Sequence, residues 1–222
     1  MNVFDIVGPV MVGPSSSHTA GPVRIGNVAR KILGAEPIEI AVKFHGSFAK
    51  TYAGHGSDRA IIGGMLGFLP DDSRIRDSLK IAAERGIAFK FETVELANAH
   101  PNTLIVEALE ATGGKVFVLG ESVGGGNIII RQINNTLVEF TGQYDTLVIA
   151  HHDAPGAISL VTNLLSIRQI NIASMKMYRS HKGGEAIMII ETDGLLDQGL
   201  AQYISALPNV TKTTILRGLN QG

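Results

Sequence analysis

The chain has 222 residues, of which 45% are hydrophobic and 18% charged, the balance of a soluble globular protein of one or two domains. Its formal net charge is -1 with no run of Lys or Arg, which excludes a basic nucleic-acid-binding stripe. Cysteine is absent, which excludes disulfides, thiol nucleophiles and thiolate metal ligands.

The start, Met1-Asn2-Val3-Phe4-Asp5-Ile6-Val7, has no basic segment followed by a long apolar one, so no signal peptide is expected. No apolar stretch approaches the roughly 18 residues of a membrane span, and a cytoplasmic protein is expected. Gly13-Pro14 and Gly21-Pro22 bracket a polar centre, Ser15-Ser16-Ser17-His18-Thr19. A helix is predicted next, from about Val23 to Leu33, with Gly34 as its stop. Residues 38–44 alternate with period two and read as a strand running into His45-Gly46-Ser47. A helical stretch follows, interrupted near Gly54-His55-Gly56, and Ser57 or Asp58 is the expected cap of the next helix.

Ser73 is the expected cap of a helix from Arg74 to Arg85, closed by Gly86. Residues 87–94 read as a strand, and His100-Pro101-Asn102 as a turn held away from helix by its proline. Strands are predicted over 104–111, 115–119, 127–133 and 137–140, with Thr112-Gly113-Gly114 turning the first pair. Gly124-Gly125-Gly126 lacks a following helix and the Gly-Lys-Ser/Thr ending of a phosphate loop, so it reads as a bulge or turn.

Around Thr141-Gly142-Gln143 the order of elements changes, giving domains 1–142 and 145–222. The second reads strand 146–150, helix 156–167, strands 172–179 and 186–191, helix 196–206 and strand 210–216. That βαββαβ order is a ferredoxin-like unit. The expected class is therefore α+β, an N-terminal α/β sandwich followed by that unit.

Five segments can carry chemistry. Ser15, Ser16, Ser17, His18 and Thr19 gather hydroxyls, an imidazole and backbone N–H groups before a helix start, an arrangement suited to a small carboxylate or phosphate. A serine-rich turn with a helix cap explains the same residues. His45-Gly46-Ser47, His55-Gly56-Ser57-Asp58 and His100-Pro101-Asn102 all lie at element ends, where imidazoles serve as caps or as proton carriers. No tight ligand spacing favours a zinc site among them. His151-His152-Asp153-Ala154-Pro155-Gly156 joins a strand to a helix, as a small-ligand loop or a plain turn.

The run from Gly13 to Pro22 resembles the signature of the iron–sulfur L-serine dehydratases. Gly46-Ser47 with Gly54-His55-Gly56-Ser57-Asp58 is similar to that family's second motif, and His100-Pro101-Asn102 to its third. The family occurs as one chain or as separate alpha and beta chains, and this chain resembles the beta chain. The resemblance implies deamination of L-serine to pyruvate and ammonia, with a [4Fe–4S] cluster on a cysteine-bearing alpha chain. It implies that His18 and His55 transfer protons and that Ser15, Ser16 and Ser17 hold the substrate carboxylate. Thr19, Gly46, Ser47, Ser57 and Asp58 would complete the substrate site, with His100 and Asn102 orienting the substrate or supporting groups that do. His45 is not carried over.

The C-terminal unit resembles an ACT domain, a regulatory module that pairs with itself and binds amino acids. Asp153, Ala154, Pro155 and Gly156 resemble its ligand loop. Neither a membrane nor a nucleic acid is an expected partner. The competing reading is a non-catalytic amino-acid sensor, since the beta-chain fold is similar to a substrate-sensing domain of some serine-biosynthesis dehydrogenases. Paired proton-transfer histidines argue against it. A pyridoxal phosphate enzyme is disfavoured because no lysine accompanies a phosphate loop.

Overall fold

The computed structural model describes Met11 and residues 15–218. The Gly13-Pro14 bracket lies outside the described residues. The chain divides into two compact units, one ending at Asn134 and the other beginning at Asn135.

In the first unit, helix α1 runs Ala20–Leu33 and opens three residues earlier than the sequence suggests. Pro22 sits in its first turn, where a missing N–H breaks no intrahelical bond. Gly34 ends α1 in the left-handed conformation, with its N–H on the Arg30 carbonyl. Strand β1 (Pro37–His45) follows, then helices α2 (Gly46–His55) and α3 (Ser57–Met65). They break at Gly56, whose φ of +75° favours glycine.

The expected cap of α3 is corrected: Gly56 holds the N-cap position, the Ser57 hydroxyl points elsewhere, and Asp58 lies within the first turn, where its carboxylate accepts the Arg59 N–H. The helix predicted from Arg74 is also corrected. A 3-10 turn, Ser73–Asp77, precedes a short α4, Ser78–Glu84. Asp72, not Ser73, caps that turn by accepting the Arg74 N–H. The Arg74 guanidinium closes a further ion pair on Asp72, which explains why the acid takes the capping place.

Strands β2 (Ala88–Val94), β3 (Thr103–Glu110), β4 (Lys115–Gly124) and β5 (Asn127–Ile133) complete the unit. They stand in the order β2-β1-β3-β4-β5. Only β1 and β2 run parallel, joined through the helices. Strand β4 extends five residues beyond its expected end. Gly120 and Ser122 are weak strand formers, but both face α1, and their small size lets the helix lie close: a Cβ on Gly120 would meet Ile25 at 2.9 Å.

Helices α1 and α3 touch backbone to backbone. A Cβ on Gly64 would lie 2.1 Å from the Val23 carbonyl oxygen, and one on Gly26 would lie 2.6 Å from that of Ile61. This contact holds the first half of α1 against the second half of α3. Phe44, Phe48, Ile61, Ile62 and Met65 fill the core beneath them without exposure.

The second unit opens with β6 (Thr136–Phe140) and continues β7 (Asp145–His152), α5 (Ala157–Ile167), β8 (Ile172–Arg179), β9 (Glu185–Thr192), α6 (Gln198–Ser205) and β10 (Val210–Leu216). From β7 onward this is the βαββαβ order expected, with an antiparallel sheet β10-β7-β9-β8. Leu147, Ile149, Val161, Leu165, Met188 and Ile204 form its core. Asp145 is almost wholly buried. Burial pushes its carboxyl up, and donation from the Gly218 and Leu196 N–H groups and from Arg217 overcomes this, holding it below the usual carboxylate range. No described helix is long and apolar enough to cross a membrane.

Candidate functional site

The Ser15–Thr19 segment forms a turn that winds into α1. The Thr19 N–H donates to the Ser15 carbonyl at 2.9 Å and the Gly21 N–H to that of Ser16 at 3.1 Å. Thr19 holds the N-cap position, yet its hydroxyl caps nothing. That oxygen is buried without a hydrogen-bond partner.

His18 meets His55 edge-on, with ring centroids 4.9 Å apart, and meets Phe48 edge-on at 5.1 Å. His18 is part-buried, whereas His55, the last residue of α2, is exposed. The pair thus has a covered end and an open end. The His18 Nδ1 lies 3.3 Å from the Ser15 hydroxyl, and its Nε2 is buried without a partner. Burial, reinforced by the neighbouring His55, holds the His18 pKa below the ordinary histidine value. Both causes favour the neutral imidazole. In the tautomer that donates from Nδ1 to Ser15, Nε2 presents a free lone pair.

The second motif packs onto the first. Ser57 is fully buried, and its hydroxyl donates to the His18 carbonyl at 2.8 Å. The Asp58 carboxylate is also buried and accepts the Arg59 N–H at 2.8 Å. Burial pushes the Asp58 carboxyl up, against the pull of the Arg59 N–H and charge.

The third motif docks onto the start of α2. The Ser47 N–H donates to the Pro101 carbonyl at 2.7 Å. Gly46 allows this approach: its φ is +59°, and a Cβ there would lie 2.6 Å from the Pro101 oxygen. His100 Nδ1 accepts the Asn102 N–H at 3.1 Å, and its carbonyl accepts the Thr103 hydroxyl at 2.6 Å. The Asn102 side-chain oxygen is buried with no partner. His45 stands apart from the imidazole pair. Its Nδ1 lies 3.2 Å from both the Val94 carbonyl and the Leu96 N–H, which ties the end of β1 to the chain after β2.

Three contributors escape sequence reading. Phe48 walls His18, but in the sequence it is one apolar residue of a helix. Arg24 reaches from α1 to the Gly126 carbonyl, and its Nε is buried without a partner. Ser122, fully buried on β4, donates its hydroxyl to the Ser17 carbonyl at 2.8 Å and its N–H to the Asn102 carbonyl at 2.9 Å. The signal for Ser122 lay in the small-residue pair Gly120 and Ser122 two apart on one strand face. The triple glycine is a tight β4–β5 hairpin, with all three residues at positive φ.

In the second unit, Asp153 accepts from the Arg179 guanidinium at 2.9 Å and from the Gly183 N–H at 3.0 Å. These donors hold its carboxyl below the usual range. Ala154 and Pro155 lead to Gly156, the left-handed N-cap of α5. The carboxylate thus anchors the loop to the β8–β9 turn.

Residues 2–132 match the family model described as serine dehydratase beta chain, and residues 147–214 match that of an AHAS small subunit-like ACT domain. The chain is 43% identical to a probable L-serine dehydratase beta chain of Bacillus subtilis, over 96% of each chain. It is 38% identical to the L-serine dehydratase beta chain of Peptoniphilus asaccharolyticus, over 95% of each. An L-serine dehydratase of Streptomyces coelicolor is 30% identical over 58% of this chain and 33% of its own length. With its first unit spanned by one family model and nearly its whole length aligned to two such relatives, the chain belongs to the serine dehydratase beta chain family and carries a C-terminal ACT-like domain.

Proposed function

We propose that this chain is the beta subunit of an iron–sulfur L-serine dehydratase, and that it deaminates L-serine to pyruvate and ammonia only with a cysteine-bearing alpha subunit. The observation that carries this reading is the His18–His55 pair, desolvated at one end and open at the other, with a buried, unpartnered Nε2 on His18. The relatives' names supply the substrate. The Streptomyces coelicolor protein supports the partner, since this chain matches only about a third of it, which leaves room for a second functional part.

The residues do not fit a cluster on this chain. It has no cysteine, and among the described residues no three His, Asp or Glu side chains converge as ligands. In this reading the cluster belongs to the alpha subunit, and the work of this chain is binding and proton transfer. The Cα proton of serine is weakly acidic, so its removal needs a base and a partner for charge developing on the carboxylate. Neutral His18 supplies Nε2 as acceptor or relay, and exposed His55 passes the proton outward. The Ser15, Ser16 and Ser17 hydroxyls, with Thr19 and the Asn102 amide, hold the carboxylate. Ser47 and His100 fix the Pro101 loop that presents Asn102. Ser57 acts through the His18 backbone, and Asp58 through the start of α3. Loss of the β-hydroxyl leaves aminoacrylate, which water hydrolyses to pyruvate and ammonia. The ACT-like unit would bind a regulatory amino acid at Asp153–Gly156 and pair with a second copy. We place the enzyme in the cytoplasm.

Pyruvate formation from L-serine, assayed anaerobically, tests this with the chain alone and then with its cysteine-bearing partner. Activity in the mixture alone is expected. Activity from this chain alone would overturn it, and silence in both with serine still bound would turn the reading to an amino-acid sensor.

A further inference from the structure

The His18 ring itself makes one long hydrogen bond, at 3.3 Å to Ser15, and otherwise rests on Phe48 and His55. Its position is therefore set by its backbone. Two hydroxyls from different elements hold that backbone, Ser57 on the His18 carbonyl and Ser122 on the Ser17 carbonyl, each at 2.8 Å. Ser122 does more than Ser57, because its N–H also holds the carbonyl of Asn102. It is the one residue among those described that hydrogen-bonds both the first and the third motif.

Its identity is tightly constrained. The space above it is closed by Gly21, where a Cβ would lie 2.1 Å from the Ser122 hydroxyl. A larger side chain would lift α1 off β4. Any residue but proline could supply the N–H bond, which continues past the Thr103–Glu121 pair of the β3–β4 ladder. Only a small hydroxyl can supply the bond to Ser17. Its loss leaves the Ser17 carbonyl without that donor, next to the imidazole whose place matters most.

Resting on the serine dehydratase reading above, we infer that Ser122 is a positioning residue: by holding the Ser17 and Asn102 carbonyls together, it fixes the span between the His18 imidazole and the Asn102 amide. Ser122 touches no reacting atom, and its effect passes through those two residues.

Ser78 provides the control. It too is fully buried and donates its hydroxyl to a carbonyl, that of Arg59 at 2.7 Å. Ser122→Ala and Ser78→Ala each remove one such bond, and each should lower the urea midpoint of the full chain by a similar amount. Two readouts separate them: the His18 imidazole resonances of the isolated full chain, and kcat and KM for L-serine of the complete enzyme. Ser122→Ala should shift the His18 resonances and lower kcat about tenfold, with KM changed far less, since displacement of a reacting group by a fraction of an ångström has that effect. Ser78→Ala should do neither. Should Ser122→Ala fail to fold, Ser122→Cys, whose thiol is a larger group and a weaker donor, should likewise shift the His18 resonances and lower kcat in the folded fraction. Wild-type kcat and His18 signals in the Ser122 variants, or equal changes in Ser78→Ala, would overturn the inference. If the wild-type complex forms no pyruvate, the dehydratase reading fails and the His18 resonances alone decide the role of Ser122.

Discussion

His18→Ala should lower kcat of the complete enzyme by about 100-fold to 10,000-fold, the range of a positioned general acid or base. That loss corresponds to about 3–5 kcal/mol of transition-state stabilisation. KM for L-serine should change only a few-fold, because in the proposed site the carboxylate falls to Ser15, Ser16, Ser17, Thr19 and Asn102 and not to the imidazole. Far-UV circular dichroism of the variant should match wild type, since His18 is only part-buried and lies before the first turn of α1. His55→Ala should cost less, since its ring is exposed and bulk water can replace a relay at the open end. Near-normal kcat in His18→Ala would remove His18 from the chemistry, whatever the complex does with serine.

Gly64→Ala should destabilise the first unit by about 2–3 kcal/mol, as overpacking a closed contact does. The sign of this result is the informative part. In an exposed helix, exchanging glycine for alanine stabilises by about 1 kcal/mol, because alanine loses less backbone entropy. In α3 the added methyl would stand 2.1 Å from the Val23 carbonyl oxygen, so α1 must move. Gly63→Ala separates the two effects within the same helix. Its Cβ would meet the Ile75 side chain at 3.2 Å, and that side chain can yield. It should be near neutral in urea unfolding followed by circular dichroism. Equal stability for the two variants would show that the backbone contact between α1 and α3 does not constrain the fold. Because α1 follows directly on the His18 turn and α3 opens at Ser57, which holds the His18 carbonyl, Gly64→Ala should also reduce activity in the folded fraction.

Much of the fold was legible because its elements are locally consistent. β1 alternates, Gly34, Gly56 and Gly86 stand where chains turn, and the βαββαβ order of the second unit follows from hydrophobic period alone. The misreadings arose where tertiary contacts overrode local preference. The expected strand stopped at residue 119, but Gly120 and Ser122 extend β4 because α1 needs small residues beneath Gly21 and Ile25. Ser57 looked like a helix cap, but its hydroxyl is taken by the His18 carbonyl. Asp72 outcompeted Ser73 as a cap because it also pairs with Arg74. In the site, the three motifs were visible as residue types beside turns. Their mutual distances were not, since Ser122 lies more than 100 residues from the serine it holds, and Phe48 has no polar signature.

The geometry sets His18 and His55 as one edge-on pair, covered at the His18 end and open at the His55 end. The direct measurement is an NMR pH titration of the His18 ring in the full chain, with and without His55→Gln. The geometry predicts that His18 titrates below the ordinary histidine value of about 6.5 and moves upward when His55 is replaced, because one of its two perturbing causes is removed. A His18 that titrates at or above that value, indifferent to residue 55, would contradict the pairing and the proton path built on it.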